Sequence, residues 1–107
     1  MSNTSLVDHI YKELGCQEIQ TKFIIQKFLE DMKLFDKKQH DYGPQNIAKF
    51  GTTGVLVRSS DKIERLINLY NRGDKPQVNN ESITDSWQDL SVYGAIARVC
   101  EDGEWKS

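Results

Sequence analysis

Apolar residues recur at steps of three and four along most of this chain, the spacing that puts side chains on one face of an α-helix. The pattern predicts four helices, over about residues 4–15, 17–38, 55–71 and 80–98. A short fifth helix fits Pro44 to Phe50, because proline suits a first helical turn. No segment shows the alternation typical of a strand. The sequence therefore predicts an all-α fold of four or five helices.

The same spacing predicts which side chains form the core. In the second helix we expect a buried stripe of Ile25, Phe28, Leu29, Met32 and Phe35. In the third we expect Leu56, Ile63, Leu66, Ile67 and Tyr70 to face inward, and in the fourth Ile83, Trp87, Leu90, Gly94 and Ala97. The last of these stripes contains small residues, which would let a neighbouring helix come close.

Beside its apolar stripe the last helix carries a row of acids. Glu81, Asp85 and Asp89 recur every fourth residue, so each lies about 40° round the helix from the last. Three carboxylates on one edge repel one another unless cations lie near. The helix over residues 55–71 can supply cations, since Arg58 and Arg65 share a face there.

Two interpretations of these charges remain open at this point. In the structural one, Arg58 and Arg65 pair with Asp85 and Asp89 and hold two helices in register. In the functional one, acids bind Mg²⁺ and basic residues bind phosphate, since magnesium prefers a few carboxylates together with waters and phosphates. The metal ligands would be Asp61, Glu64, Glu81 and Asp85, and the phosphate ligands Arg58, Lys62 and Arg65. The chemistry alone favours the structural interpretation.

The segment over residues 39–54 interrupts the helical pattern with three glycines and a proline. It could present His40, Tyr42 and Asn46 to a base or a sugar, although a tight turn around Gly43 explains the same residues. The GTTG run at residues 51–54 could offer backbone N–H groups to an anion, but it lacks the lysine and the spacing of a P-loop.

Composition limits the class of protein. The chain has 107 residues and a formal net charge of −2, so we expect one domain that is neither a general nucleic-acid binder nor a membrane-surface binder. Its N-terminal helices would span residues 1–38, a loop 39–54 and two charged core helices 55–101. The two cysteines, Cys16 and Cys100, lack zinc-site spacing, and no signal peptide is evident. We therefore expect reduced thiols and a cytoplasmic location.

Three segments then suggest a family. DYGPQN, GTTGVLVRSSDKIERLINL and ESITDSWQDLSVYGAIA, in that order between about Lys38 and Ala97, resemble the phage and bacterial family called nucleotide modification associated domain type 1. The resemblance covers over half of the chain, and its elements are specific together although each is weak alone. It implies work on nucleotides, or around modified DNA bases, and for a phage-encoded protein the host cytoplasm.

A looser resemblance is to the all-α nucleoside triphosphate pyrophosphohydrolases of the MazG and dimeric dUTPase type. That resemblance implies a helical bundle completed by homo-oligomerisation, and acids on two core helices that bind Mg²⁺. Asp61 and Glu64, followed by Glu81 and Asp85, have roughly that layout. An aspartate replaces the usual glutamate at position 61, and the second pair is spaced i, i+4 rather than i, i+3. Both spacings keep the acids on one face.

Three functions follow as hypotheses. The first is a Mg²⁺-dependent pyrophosphohydrolase acting on the (d)NTP pool, with Glu81 and Asp85 as catalytic acids. The second is a non-catalytic sponge that sequesters a nucleotide-derived immune signal, reading the base with Tyr42, Asn46 or Tyr93. The third is a structural helical partner whose charges are salt bridges. The acids place the hydrolase slightly ahead of the sponge.

Overall fold

The computed structural model describes residues 3–73 and 83–105 of the chain. In these two ranges it contains five α-helices and no strand: α1 Asn3–Glu13, α2 Gln20–Tyr42, α3 Gln45–Ala48, α4 Gly51–Arg72 and α5 Ile83–Glu101. The prediction of an all-α fold with four or five helices is confirmed. The first residues of the helix predicted over 80–98 lie outside the described residues.

Two helix boundaries differ from the prediction because helical hydrogen bonds continue into the expected loop. Helix α2 runs on to Tyr42, and the N–H of Gly43 still donates to the carbonyl of Gln39 at 2.8 Å. Helix α4 begins at Gly51, so the GTTG run forms its first turn instead of a separate loop. At its other end α4 stops at Gly73, whose φ of 70° lies in the left-handed region that favours glycine.

The chain divides into two compact units, Met1–Lys37 and Lys38–Ser107. In the first unit, Val7 of α1 and Ile25 of α2 are buried. Lys22 of α2 bridges to the carboxylate of Asp8 at 3.2 Å and lies 4.9 Å from the ring centre of Tyr11. These two contacts of one lysine join α1 to α2.

In the second unit, α4 and α5 pack against each other in antiparallel directions. Their buried side chains are Val55, Leu66 and Leu69 from α4 and Ser86, Val92 and Ile96 from α5. Helix α3 adds Ile47, which is also buried. The indole N–H of Trp105, after the end of α5, donates to the carbonyl of Pro44 at 3.0 Å, so the C-terminal segment docks beside α3.

The predicted core faces are partly wrong. On α4 only Leu66 of the expected stripe is buried, and on α5 Trp87 and Gly94 are exposed. On α5, Asp85 and Asp89 are half-buried, and Asp89 has Lys62 of α4 as a partner. In α2, likewise, Ile25 is buried whereas Phe28 and Met32 are exposed.

Over the described ranges, no helix combines the length and the apolar character that crossing a membrane requires.

Candidate functional site

The centre of the charged region in the second unit is the carboxylate of Asp89 on α5. Its Oδ1 accepts from Lys38 Nζ at 3.2 Å and its Oδ2 from Lys62 Nζ at 3.1 Å. Only 19% of the Asp89 side chain is exposed, and Lys62 is nearly as well covered. One acid therefore holds two ammonium groups, one from α4 and one from the last turns of α2.

Two arginines of α4 extend this positive region. Arg58, Lys62 and Arg65 follow one another at steps of four and three, so they share one face of the helix, and all three are half-buried. Arg65 donates through a guanidinium nitrogen to the hydroxyl of the buried Ser86 at 3.1 Å. Together with Lys38 these residues form what we call the cationic cluster: Lys38, Arg58, Lys62 and Arg65.

A phenol lies beside this cluster. Burial, and after it the negative charge of Asp89, raises the pKa of Tyr93, while the nearby positive charges of Lys62 and Arg58 lower it by smaller amounts. Tyr93 is half-buried and stays protonated at neutral pH, so its hydroxyl can donate a hydrogen bond.

Asn46 of α3 is held beside Arg58 in a defined orientation. Arg58 donates to the backbone carbonyl of Asn46 at 3.4 Å, and Gln39 Nε2 donates to Asn46 Oδ1 at 3.1 Å. The same Nε2 donates to the carbonyl of Gly43 at 2.8 Å. A backbone carbonyl can only accept a hydrogen bond, so the Gln39 atom beside Gly43 must be the amide nitrogen. Because that nitrogen also donates to Asn46, the Asn46 atom facing it must be the amide oxygen. The Asn46 side-chain NH₂ is therefore turned away from Gln39.

The electrostatic balance of this region favours an anion. Lys38 and Lys62 bridge to Asp89, Arg58 and Arg65 lie on the same face of α4 as Lys62, and Asp85 lies one helical turn before Asp89 on α5. Two arginines in a region sheltered from solvent suit phosphate, because the guanidinium group donates two parallel hydrogen bonds to one oxyanion. The arrangement can accept a phosphate group if the lysines turn from Asp89 toward it.

The predicted metal ligands do not come together in the part of the chain that the structure describes. Asp61 and Glu64 are both exposed on α4, whereas Asp85 is half-buried on α5. Glu81 lies outside the described residues. Across residues 3–73 and 83–105 no three His, Cys, Asp or Glu side chains are grouped as a metal site would need. The described donor set therefore does not fit a Mg²⁺ site by itself, and the four-acid site stays a prediction.

The remaining predicted binding residues differ in their surroundings. Tyr42 and His40 are exposed in the last turn of α2, while Asn46 is half-buried. Both cysteines are free and half-buried. Arg58, which was predicted to pair with an acid of α5, donates instead to the backbone carbonyl of Asn46 in α3.

Sequence reasoning missed three members of this region as site residues. Lys38 is the last residue of the helix predicted over 17–38, and its bridge to Asp89 was not expected. Gln39 and Ser86 carried no recognisable motif. One feature of the sequence could have found Lys38: the acids that recur at every fourth residue of the last helix. The third of them, Asp89, predicts that a cation must lie opposite it.

Comparison with known proteins found no match to this chain among protein-family models, curated proteins or solved structures.

Proposed function

We propose that this protein binds a nucleotide, or a small molecule derived from one, with phosphate held by the cationic cluster. The observation that carries the proposal is the double bridge at Asp89, where two lysines from different helices share one carboxylate. An arrangement with more positive than negative groups is expected to bind an anion whose charge exceeds that of a single carboxylate. A phosphate chain has that charge.

In this proposal each residue type has a separate role. Lys38 and Lys62 turn from Asp89 to the phosphate, and the guanidinium groups of Arg58 and Arg65 donate to its oxygens. The oriented NH₂ of Asn46 is placed to donate to an acceptor atom of the base or sugar. Tyr93 supplies a hydroxyl at the edge of the site, and the exposed Tyr42 is available for stacking.

Hydrolysis of the bound nucleotide is the second candidate. It is supported by the resemblance to nucleotide pyrophosphohydrolases and by Asp85, which is half-buried one turn from Asp89. Glu81 and Asp85 would be the catalytic acids, and Mg²⁺, if bound, would neutralise charge on the phosphates. The described acids do not form the metal site, so we place binding without turnover ahead. Such a protein would act as a sponge for a nucleotide-derived signal, in the bacterial cytoplasm if the chain is phage-encoded.

A ligand screen tests the proposal. Thermal unfolding is measured against mono-, tri-, cyclic and NAD-derived nucleotides, with and without Mg²⁺, and each stabilising ligand is then recovered and chromatographed. A ligand at 100 times its Kd adds about 2.7 kcal/mol, a shift of several degrees for a domain of this size. Recovery of the intact ligand supports a sponge, and a monophosphate product supports a hydrolase. If no nucleotide stabilises the protein, the proposal is wrong and the charges are structural.

Two variants show whether a stabilising ligand uses the cationic cluster. Arg58→Gln removes a half-buried cation of the cluster, whereas Lys27→Gln removes an exposed cation of α2 that pairs with Glu30 three residues on. We expect the first variant to lose most of the ligand-induced shift and the second to keep it. Equal shifts in both variants would place the ligand elsewhere.

A further inference from the structure

The carboxylate between α4 and α5 has a cation at each of its two oxygens. Lys38 Nζ lies 3.2 Å from Asp89 Oδ1, and Lys62 Nζ lies 3.1 Å from Oδ2. Only 19% of the Asp89 side chain is exposed. A carboxylate that binds Mg²⁺ must place an oxygen about 2.1 Å from the ion, in octahedral geometry. Because ammonium groups occupy both oxygens, Asp89 is the counter-ion of two lysines rather than a ligand for a metal.

The acids of α4 point away from this bridge. Helical spacing places Glu64 about 160° and Asp61 about 100° round the helix from Lys62, and both acids are exposed. Neither acid therefore faces the space between Lys62 and Asp89. Glu81 lies outside the described residues. Among the described acids of α4, none is placed to hold a metal ion against a phosphate bound by the cationic cluster.

The charges of this region favour a phosphate that carries no metal. The cluster contributes four positive charges, while Asp85 and Asp89 share one face of α5. A Mg²⁺ complex of a phosphate chain has two fewer negative charges than the free chain, and its metal covers oxygens that could accept from Arg58 and Arg65. At about 6 Å and an effective dielectric constant near 40, each unit of charge changes Kd about tenfold.

We propose that the cationic cluster takes the place that Mg²⁺ has in other phosphate sites, and that the protein binds its nucleotide as the metal-free anion. Lys38 and Lys62, which Asp89 holds in place, replace the charge of the metal. Arg58 and Arg65 replace its directed contacts with phosphate oxygens. Mg²⁺ then competes with the protein for the phosphate. The resemblance to pyrophosphohydrolases implies the reverse, a site that needs Mg²⁺. The inference rests on the proposed function, because it concerns the ligand of the same site.

A class of ligand follows from metal-free binding. A chain of two or more phosphates chelates Mg²⁺ through neighbouring groups, whereas a single phosphate monoester or diester offers only one group to the ion. Where Mg²⁺ is abundant, a site for metal-free phosphate selects nucleotides whose phosphates stand singly. Monophosphates and phosphodiesters are such nucleotides. Triphosphates bind well only when Mg²⁺ is removed.

The test is calorimetric titration of the full chain with inorganic tripolyphosphate, a probe that chelates Mg²⁺ and carries no base. One titration contains EDTA, and the other contains enough Mg²⁺ to complex all of the probe. Sodium chloride keeps the ionic strength equal, so that screening does not differ. We expect Mg²⁺ to raise the Kd at least tenfold. In the thermal screen, monophosphates or phosphodiesters should stabilise the protein equally with and without Mg²⁺.

Three variants show whether the effect of Mg²⁺ arises at the cluster. Lys62→Gln removes a cation that bridges to Asp89. Arg58→Gln removes another cation without breaking that bridge, so it serves where the first variant is unstable. Each should raise the Kd of the metal-free probe about tenfold and reduce the difference that Mg²⁺ makes. Lys27→Gln, an exposed cation of α2 outside the cluster, should keep both Kd values.

Each outcome decides the proposal. Weaker binding with Mg²⁺, reduced in Arg58→Gln and kept in Lys27→Gln, supports it. Tighter binding with Mg²⁺, the same Kd in both buffers, or a probe that does not bind without Mg²⁺ overturns it. A Mg²⁺ effect that both variants leave unchanged also overturns it. Failure of the proposed function is a different result, in which no nucleotide stabilises the protein in either buffer. A nucleotide that binds only with Mg²⁺ overturns metal-free binding and leaves nucleotide binding standing.

Discussion

Replacing Asp89 by asparagine keeps the size of the side chain but removes the charge that two lysines share. Oδ1 and Oδ2 of Asp89 lie 3.2 and 3.1 Å from the ammonium groups of Lys38 and Lys62. The exposed fractions are 19% for Asp89, 24% for Lys62 and 41% for Lys38. The bridge to Lys62 is thus the better sheltered of the two.

The expected loss of stability lies between two known limits. An exposed ion pair contributes about 0–1 kcal/mol, whereas breaking a fully buried one costs about 3–5 kcal/mol. The Lys38 bridge belongs near the lower limit because solvent screens it, and the Lys62 bridge lies above that limit. We expect Asp89→Asn to lower the free energy of unfolding by about 2 kcal/mol, which for a domain of this size lowers Tm by roughly 10 °C.

The same substitution should strengthen nucleotide binding, which separates a binding site from a structural bridge. A unit charge about 6 Å from a phosphate, at an effective dielectric constant near 40, changes the binding free energy by about 1.4 kcal/mol, or tenfold in Kd. Asp89→Asn removes this repulsion and releases both lysines for the phosphate. A purely structural bridge predicts lower stability with no gain in affinity.

The assay combines urea unfolding with calorimetric titration of the best ligand from the screen. Asp102→Asn is the control, because Asp102 is an exposed acid just after α5 and its loss should change stability by no more than about 0.5 kcal/mol. Unchanged stability in Asp89→Asn would refute the bridge geometry. Lower stability with equal or weaker binding would refute the transfer of the lysines to phosphate.

Three further predictions concern the packing around this region. Ser86→Ala should lower the unfolding free energy by about 1 kcal/mol in urea titrations, because the buried hydroxyl that accepts from Arg65 is lost; full wild-type stability would contradict that bond. The pKa of Tyr93 is raised, so the folded state holds the phenol proton more tightly than the unfolded chain does. The protonated phenol therefore contributes its full stability below pH 10.0, and that contribution is lost as the pH rises through the raised pKa. Tyr93→Phe should therefore weaken the fall in Tm between neutral and strongly alkaline pH, and an identical fall would refute the assignment. Gly73→Ala should cost about 1–2 kcal/mol by thermal unfolding, because φ is 70° at the end of α4, and a neutral result would show that α4 ends differently.

Local chemistry made the helices and several of their ends predictable. Steps of three and four indicated each helix, and Gly15 and Gly73 mark ends where only a residue without Cβ takes a left-handed φ without strain. The extension of α2 to Tyr42 was less predictable. It depends on the hydrogen bond that the N–H of Gly43 donates to the carbonyl of Gln39, and no side-chain pattern encodes that bond.

The sequence also located the charges without showing which of them meet. It put Arg58 and Arg65 on one face of α4, and Asp85 and Asp89 on one face of α5, because helical spacing alone decides that. Which acid receives which base depends on the antiparallel register of the two helices and on where α2 ends. Lys38 could be assigned to Asp89 only from the tertiary structure, since 51 residues separate the two.

The faces of α4 and α5 show the same division between local and tertiary information. The sequence by itself determined that each helix has an apolar stripe and a charged stripe, as periodicity requires. Only the tertiary structure decided that Lys62 and Asp89 meet between α4 and α5, with Ser86 buried, while Ile63, Ile67 and Trp87 remain exposed. The physical reason is that a hydrophobic stripe specifies burial but not the partner, whereas a half-buried charge must have an opposite charge beside it.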